Sequence, residues 1–267
     1  MASHAATPDG LEAARAEAAR CGLELRRKED GLSLAGDGMS MRADFGEMLP
    51  RLKPGRLRQE LLVRAAKVRK AGGEGEGAGE GEAAGWRPVA VDATAGLGED
   101  SLLLAAAGFE VLLFERNPVI AALLRDALQR AKADPRLADV AARMELSEGD
   151  SIEALGRLPE PPDVVYLDPM FPARRKSAAV KKKFQLIHRL ESPCEDAEAL
   201  LRAAIAARPR KVVIKRPPKG PHLADIKPSY SLEGKAIRYD VIALPRIGRA
   251  RDERAGPSAS GYASGSG

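Results

Sequence analysis

The chain predicts an α/β fold: a doubly wound, mostly parallel sheet closing on a C-terminal antiparallel hairpin, preceded by a small α/β appendage. Three observations carry this expectation. Short aliphatic or β-branched runs alternate with helix-length segments between residues 86 and 248, the pattern of stacked βα units. Three of those runs end in loops of glycine, acid or proline: Asp92–Gly98, Phe114–Arg116 and Leu167–Pro172. The last two runs have no helix-length connection between them, so they are expected to pair antiparallel.

Taken in order, residues 11–20 are strong helix formers and Gly22 offers a stop. Leu23–Arg27 and Leu32–Leu34 predict a hairpin around Asp30-Gly31, with Met41–Phe45 as a third strand. A basic segment, Arg51–Arg58, leads into a helix at roughly 57–70. Residues 1–70 therefore read as an appendage that supports the main domain or contacts substrate. Residues 71–85 are almost entirely glycine, glutamate and alanine, with little to bury and charges that repel, so a flexible linker is expected. This stretch follows a helix and has no neighbouring lysine, unlike a phosphate-binding glycine loop.

The main domain spans 86–248. Its strands are expected at Pro88–Ala93, Glu110–Glu115, Ala142–Leu146, Val164–Leu167 and Lys211–Lys215. Its helices are expected at 99–107, 118–132, 151–156, 177–190 and 196–207, and its closing hairpin at 229–235 and 238–244. Residues 249–267 are rich in serine and glycine and read as a disordered tail. In such open sheets ligands bind beyond the C-terminal strand ends, where all three motif loops should meet.

Composition narrows the function classes. No apolar run approaches the roughly 20 residues that span a bilayer, and Met1–Gly10 lacks the basic and apolar regions of an export signal. Cys21 and Cys194 are far apart and share no metal-ligand spacing, so reduced thiols in a cytoplasmic protein are expected. The histidines, His4, His188 and His222, are scattered; neither a hydrolytic triad nor a metal site is expected. The net charge of +5 comes from 43 basic and 38 acidic residues, a mild bias toward a polyanion. Its distribution says more: Arg174, Arg175, Lys176, Lys181, Lys182 and Lys183 form a run with no acid, directly after the third motif. Alone, such a run reads as a solvated loop; beside the motif it reads as an RNA contact.

The chemistry rests on the motif loops. In Asp92-Ala-Thr-Ala-Gly96-Leu-Gly98, small residues let backbone approach a cofactor, and the following helix offers free N–H groups. A ligand-free βα turn and a dinucleotide loop are the other readings. Glu99 and Asp100 oppose a pyrophosphate and suit the amino group of a methionyl moiety. Glu115 ends the next strand, seventeen residues after Gly98, where a carboxylate can accept both ribose hydroxyls; Arg116 frames the adenine edge. Asp150-Ser151 follows the third strand, where Asp150 can accept an exocyclic amino hydrogen, cap the next helix, or do both.

The segment from Asp168 to Pro172 is the most specific. Its two prolines stiffen an extended loop. Asp168 and the carbonyl of Pro169 can grip both hydrogens of a planar NH2, while Phe171 stacks on the base. The alternative is a proline-stiffened loop with Phe171 in a local apolar cluster. Lys215-Arg216, at the end of the fifth strand, either contacts phosphate or forms a solvated turn. Together the loops predict a Rossmann-like class I methyltransferase sheet that uses S-adenosylmethionine.

The chain resembles the RsmJ family of bacterial small-subunit ribosomal RNA guanine-N2 methyltransferases. The resemblance lies in Val91–Gly98, Glu115–Val119, Val164–Pro172, Lys176–Ala178 with Val180–Lys182, and Val212–Pro217. It covers most of 86–248. It implies cofactor contacts at Glu99, Asp100, Glu115, Arg116, Asp150, Ser151 and Asp168, and a guanine near the 3′ end of 16S rRNA, in RNA or in the small ribosomal subunit, as substrate. Position 99 is Glu where that family suggests Arg, and position 150 is Asp where it suggests Ser. The family's glycine-rich basic stretch survives only as Lys53-Pro54-Gly55-Arg56. The motif geometry alone also admits methylation of adenine N6 or a protein amide, and a non-catalytic RNA-binding protein on the same fold.

Overall fold

The computed structural model describes residues 8–69, 86–169, 182–190 and 196–245. The chain opens with α1 (Pro8–Arg20), whose alanines 14 and 18, one helical turn apart, are fully buried. It continues into a three-stranded antiparallel sheet of β1 (Glu24–Lys28), β2 (Gly31–Gly36) and β3 (Met39–Met41), in the order β1-β2-β3. β3 starts two residues earlier than expected. Gly36 pairs with Met39, so Asp37-Gly38 forms a two-residue hairpin turn, with φ of 50° and 71° at its two positions. That left-handed pair is the conformation an Asp-Gly turn favours. Phe45 consequently lies in a 3-10 turn, Phe45–Met48, capped by the Asp44 carboxylate, which accepts from the Gly46 N–H at 2.9 Å.

Three short helices follow: α2 (Leu49–Leu52), α3 (Pro54–Leu57) and α4 (Leu61–Ala66). The single helix expected near 57–70 is broken at Glu60, which is extended at φ −60°, ψ 124°. Arg51 grips the Glu60 carboxylate through two hydrogen bonds of 2.8 Å, and this tertiary pair outweighs local helix propensity. The Lys211 ammonium donates to the carbonyls of Ala65 (3.2 Å) and Lys67 (2.7 Å), satisfying groups that the end of α4 leaves open.

The main body contains β4 (Val89–Asp92), α5 (Glu99–Ala106), β5 (Glu110–Glu115), α6 (Pro118–Ala133), α7 (Ala138–Ala141), β6 (Met144–Glu148), α8 (Ser151–Gly156) and β7 (Val164–Leu167). After these come α9 (Lys182–His188), α10 (Ala197–Ala206), β8 (Lys211–Arg216), β9 (Tyr230–Glu233) and β10 (Arg238–Ala243). The seven strands lie in the order β6-β5-β4-β7-β8-β10-β9. β4 to β8 are parallel, and β10 runs antiparallel to both β8 and β9. β6 begins two residues later than expected because Ala138–Ala141 form an extra helical turn. α9 is described from Lys182, so residues 177–181 of the expected helix lie outside the described residues.

Strand alternation divides the core into two layers. Ala90, Val164, Tyr166, Val213, Tyr239 and Val241 face α5, α6 and the appendage; Val91, Val165, Leu167, Val212, Ile214 and Ile242 face the α8 and α10 side. The first layer is continuous with the buried residues of α1 and the small sheet. Asp126 on α6 fastens that junction: its buried carboxylate accepts from the Leu32 N–H at 3.0 Å and from Arg130 Nε at 2.8 Å. At the far end, Arg210 donates to the Arg69 carbonyl at 2.6 Å and lies over the Trp86 ring, 5.7 Å from its centroid.

Candidate active site

β4 and β7 are neighbours at the centre of the sheet, with α5 covering one face and α10, which precedes β8, covering the other, and a crevice opens beyond their C-terminal ends. It holds a cleft of about 460 Å³ lined by the ends of β4, β5, β6 and β7, with Glu17 of α1 and Leu200 of α10 in the walls. That volume lies within the range of small-molecule sites.

At the first loop, Gly96 has a φ of 54°, and an added Cβ would contact only the Thr94 carbonyl, at 3.9 Å. Its N–H donates at 2.9 Å to one oxygen of Glu115, whose other oxygen accepts from the Asn117 N–H at 2.8 Å. Two backbone donors thus fix the carboxylate, and each oxygen retains a lone pair for a further donor. Burial raises the Glu115 carboxyl above its ordinary value, against the lowering effect of these hydrogen bonds. Asn117 also caps α6, accepting from Val119 N–H at 2.9 Å, and its amide donates to the Leu190 carbonyl at 2.9 Å.

Arg116 is half-exposed beside Asp196, at 3.9 Å. Asp150 caps α8, accepting from the Ile152 N–H at 2.7 Å, and also lines the cleft with Ser151. Both roles considered for Asp150 are therefore open to the same side chain.

Asp168 and Pro169 line the opposite wall. The Asp168 N–H donates to Thr94 Oγ1 at 2.7 Å, which ties the third loop to the first. Lys215 Nζ lies 2.8 Å from Asp168 Oδ2 and 2.8 Å from Asp100 Oδ2. The Tyr166 hydroxyl donates to the same Asp100 oxygen at 2.6 Å. Burial pushes Asp168 up, partly countered by Lys215. Burial pulls the Lys215 ammonium down, yet Asp100 and Asp168 together hold it well above its ordinary value.

Several expected contacts sit elsewhere. Asp92 is 1% exposed; it accepts from the Ser101 hydroxyl and, at 3.0 Å, from the Thr94 N–H. It braces the loop from behind, and burial lifts its carboxyl to about 7 against these bonds. Gly98 also faces away from the cleft: an added Cβ would lie 2.6 Å from Leu124 Cδ1 and 3.1 Å from Phe45 Cζ, at a φ of 77°. Its role is close packing and the start of α5. Glu99 is exposed outside the cleft lining, and Asp100 is committed to Tyr166 and Lys215.

Lys215 and Arg216, expected either to contact phosphate or to form a solvated turn, both have partners within the chain. Lys215 is held by two carboxylates. Arg216, 3% exposed, points into the other layer and donates through Nε to the Pro221 carbonyl at 2.9 Å. Phe171, Arg174, Arg175, Lys176 and Lys181 lie outside the described residues, as do the side chains of Lys182 and Lys183. The residues missed from sequence are Thr94, Asn117 and Tyr166, together with Glu17 and Leu200 in the walls. Asn117-Pro118 carried a helix-start signal that could have identified Asn117; nothing local announces the others.

The cleft lining carries five carboxylates, Glu17, Glu115, Asp150, Asp168 and Asp196, beside Phe114, Ile152 and Leu200. Arg116 is its one cation among the described residues. Such a lining opposes a pyrophosphate and favours a ribose diol, an amino group and a positively charged sulfonium. The residues present therefore fit S-adenosylmethionine. Among the described residues there is no cluster of three or more metal-ligating side chains, and no helix is long and apolar enough to cross a membrane.

Comparison with known proteins gives a concordant result. Residues 14–244 match the family model of SAM-dependent methyltransferases. The chain is 43% identical over 256 residues to the ribosomal RNA small subunit methyltransferase J of Pseudomonas aeruginosa, covering 92% of this chain and 95% of that one. It is 46% identical over 237 residues to the protein of the same name from Stutzerimonas stutzeri, covering 86% and 90%. A crystal structure of a SAM-dependent methyltransferase from Neisseria gonorrhoeae is 31% identical, with a TM-score of 0.63, covering 91% of this chain and 94% of that one.

Proposed function

Because the chain belongs to the SAM-dependent methyltransferase family that includes the ribosomal RNA small subunit methyltransferases J, we propose that it methylates the exocyclic N2 of a guanine near the 3′ end of 16S rRNA. The observation that carries the chemistry is the joining of Glu115 and Asp168 across one cleft by a single loop, through the Gly96 N–H and the Thr94 hydroxyl oxygen. S-adenosylmethionine, when bound, supplies a methyl group already activated on sulfur.

The residues of the chain then align and desolvate. Glu115 accepts the ribose hydroxyls with the lone pairs that Gly96 and Asn117 leave open. Asp150 and Ser151 meet the adenine end, and Arg116 frames it. Asp168 and the Pro169 carbonyl accept the two hydrogens of the guanine amino group, whose lone pair is otherwise delocalised into the ring. Drawing on both hydrogens favours a more pyramidal nitrogen as attack begins, so the interaction strengthens toward the transition state. With the donor held there, the methyl group would pass to the guanine nitrogen, which would release one proton to solvent. Phe171 stacks on the unstacked base, and Arg174, Arg175, Lys176, Lys181, Lys182 and Lys183 hold neighbouring phosphates. The same reading puts the protein in the cytoplasm, with the small subunit or its RNA as partner.

Nucleoside mass spectrometry of small-subunit rRNA, from cells lacking the gene with and without its restoration, tests the assignment. Loss and recovery of N2-methylguanosine at one site is the expected result. Loss of a different methylated base would replace the guanine assignment, and an unchanged rRNA would remove it. In vitro, Asp168→Ala should bind S-adenosylhomocysteine normally and lose turnover.

A further inference from the structure

Lys215 stands on the same sheet face as Val213, with Tyr166 and Tyr239 beside it. Its ammonium closes a chain of contacts that runs from Tyr166 to Asp100, to Lys215 and to Asp168, with distances of 2.6, 2.8 and 2.8 Å. A phosphate approaching this ammonium would meet two carboxylates already in place. A different role follows from the geometry. Asp168 is fixed at its backbone by Thr94 Oγ1 and at its side chain by Lys215, while 39% of that side chain remains exposed.

We propose that Lys215 is a positioning residue for methyl transfer, holding Asp168 through one oxygen as an ionised acceptor for the amino group. The inference rests on the methyltransferase reading of the cleft and deepens it. A carboxylate in this crevice is pushed toward its neutral form by burial, and a neutral carboxyl would present one donor where an acceptor is required. The adjacent ammonium opposes that. Asp100, anchored by Tyr166, in turn keeps the ammonium in place and charged. Among the described residues, the other ionisable groups around this chain are Asp92 on β4 and Tyr239 on β10, with Arg51 on α2 facing both Tyr239 and Asp100. Among the described residues, Asp100 adds negative charge near Asp168, and Lys215 is the cation that opposes it.

The test is methylation of small subunits purified from cells lacking the enzyme, using radiolabelled S-adenosylmethionine across pH. Lys215→Met should lower kcat by about 10²-fold through lost alignment, with RNA KM and S-adenosylhomocysteine affinity unchanged. The acid limb of its kcat/KM profile should move up by about one to three pH units, because a nearby cation no longer favours the Asp168 carboxylate. Lys215→Arg keeps the charge and should keep the limb near the wild-type position while recovering part of kcat.

A Lys215→Met enzyme that raises RNA KM alone, with kcat and the acid limb intact, would make Lys215 a phosphate contact and overturn the proposal. If Lys215→Met fails to bind S-adenosylhomocysteine, Lys215→Arg decides. A displaced limb despite the retained charge overturns the proposal, and an unmoved limb supports it. Asp168→Asn separates this inference from its foundation. Full turnover in that variant removes the role of Asp168 itself, whereas an inactive Asp168→Asn beside a normal Lys215→Met removes only the role of Lys215.

Discussion

Asp92 and Glu115 are carboxylates at strand ends, the first buried and the second only partly so, and their surroundings give them different work. Glu115 is exposed on one side to the cleft and keeps acceptor capacity beyond its two backbone donors. Glu115→Gln should weaken S-adenosylhomocysteine binding by about 1.5–3 kcal/mol, the cost of replacing charge-assisted hydrogen bonds, as measured by calorimetry. Its raised carboxyl pKa means that wild-type affinity should begin to fall on acidification above the usual glutamate range. Asp92 has no such opening, and its carboxyl is lifted to about 7. A folded-state value above the unfolded one means that the native protein binds the extra proton. The contribution of Asp92 to stability is therefore full below about pH 4 and declines as pH rises toward 7, at about 1.4 kcal/mol per pH unit at most. Asp92→Asn should remove that decline, so urea denaturation should show the variant gaining on wild type between pH 4 and 7.

Asn117 acts at the scale of the element. It starts α6 and also holds Leu190, just beyond α9, at the mouth of the cleft. Asn117→Ala should cost about 1 kcal/mol from the lost cap, visible as a lower melting temperature, and should also weaken cofactor binding. The alternation of βα units and the strand-end loops were legible in sequence because they follow from local periodicity and local glycine, acid and proline chemistry. Glu110–Glu115, Val164–Leu167 and the helix 151–156 fall where periodicity puts them. The exceptions have long-range causes. The break at Glu60 follows from its pairing with Arg51, and the turn Ala138–Ala141 delays β6. In the site, the positions of Glu115 and Asp168 could be read from their strand ends. The inward turn of Asp92, the packing of Gly98 and the capture of Lys215 depend on residues distant in sequence. By contrast, the early start of β3 was available from Asp37-Gly38, a two-residue turn signal that outranks the apolar run after it.

For the whole molecule, the proposed RNA partner should leave an electrostatic signature. Replacing Lys181, Lys182 and Lys183 with alanine should weaken RNA binding and flatten its dependence on salt, by about 0.7–0.9 in logarithmic slope per lost phosphate contact. Cofactor affinity should be unaffected; filter binding over a salt series would measure the first effect and calorimetry the second. The arrangement of Arg210 bears on chain connectivity instead. By holding the Arg69 carbonyl and the Trp86 ring at once, it brings together the two points between which residues 70–85 depart and return. This closes a natural seam: shortening the chain between them, or opening it there to make new termini, should leave S-adenosylhomocysteine affinity unchanged, as calorimetry would measure.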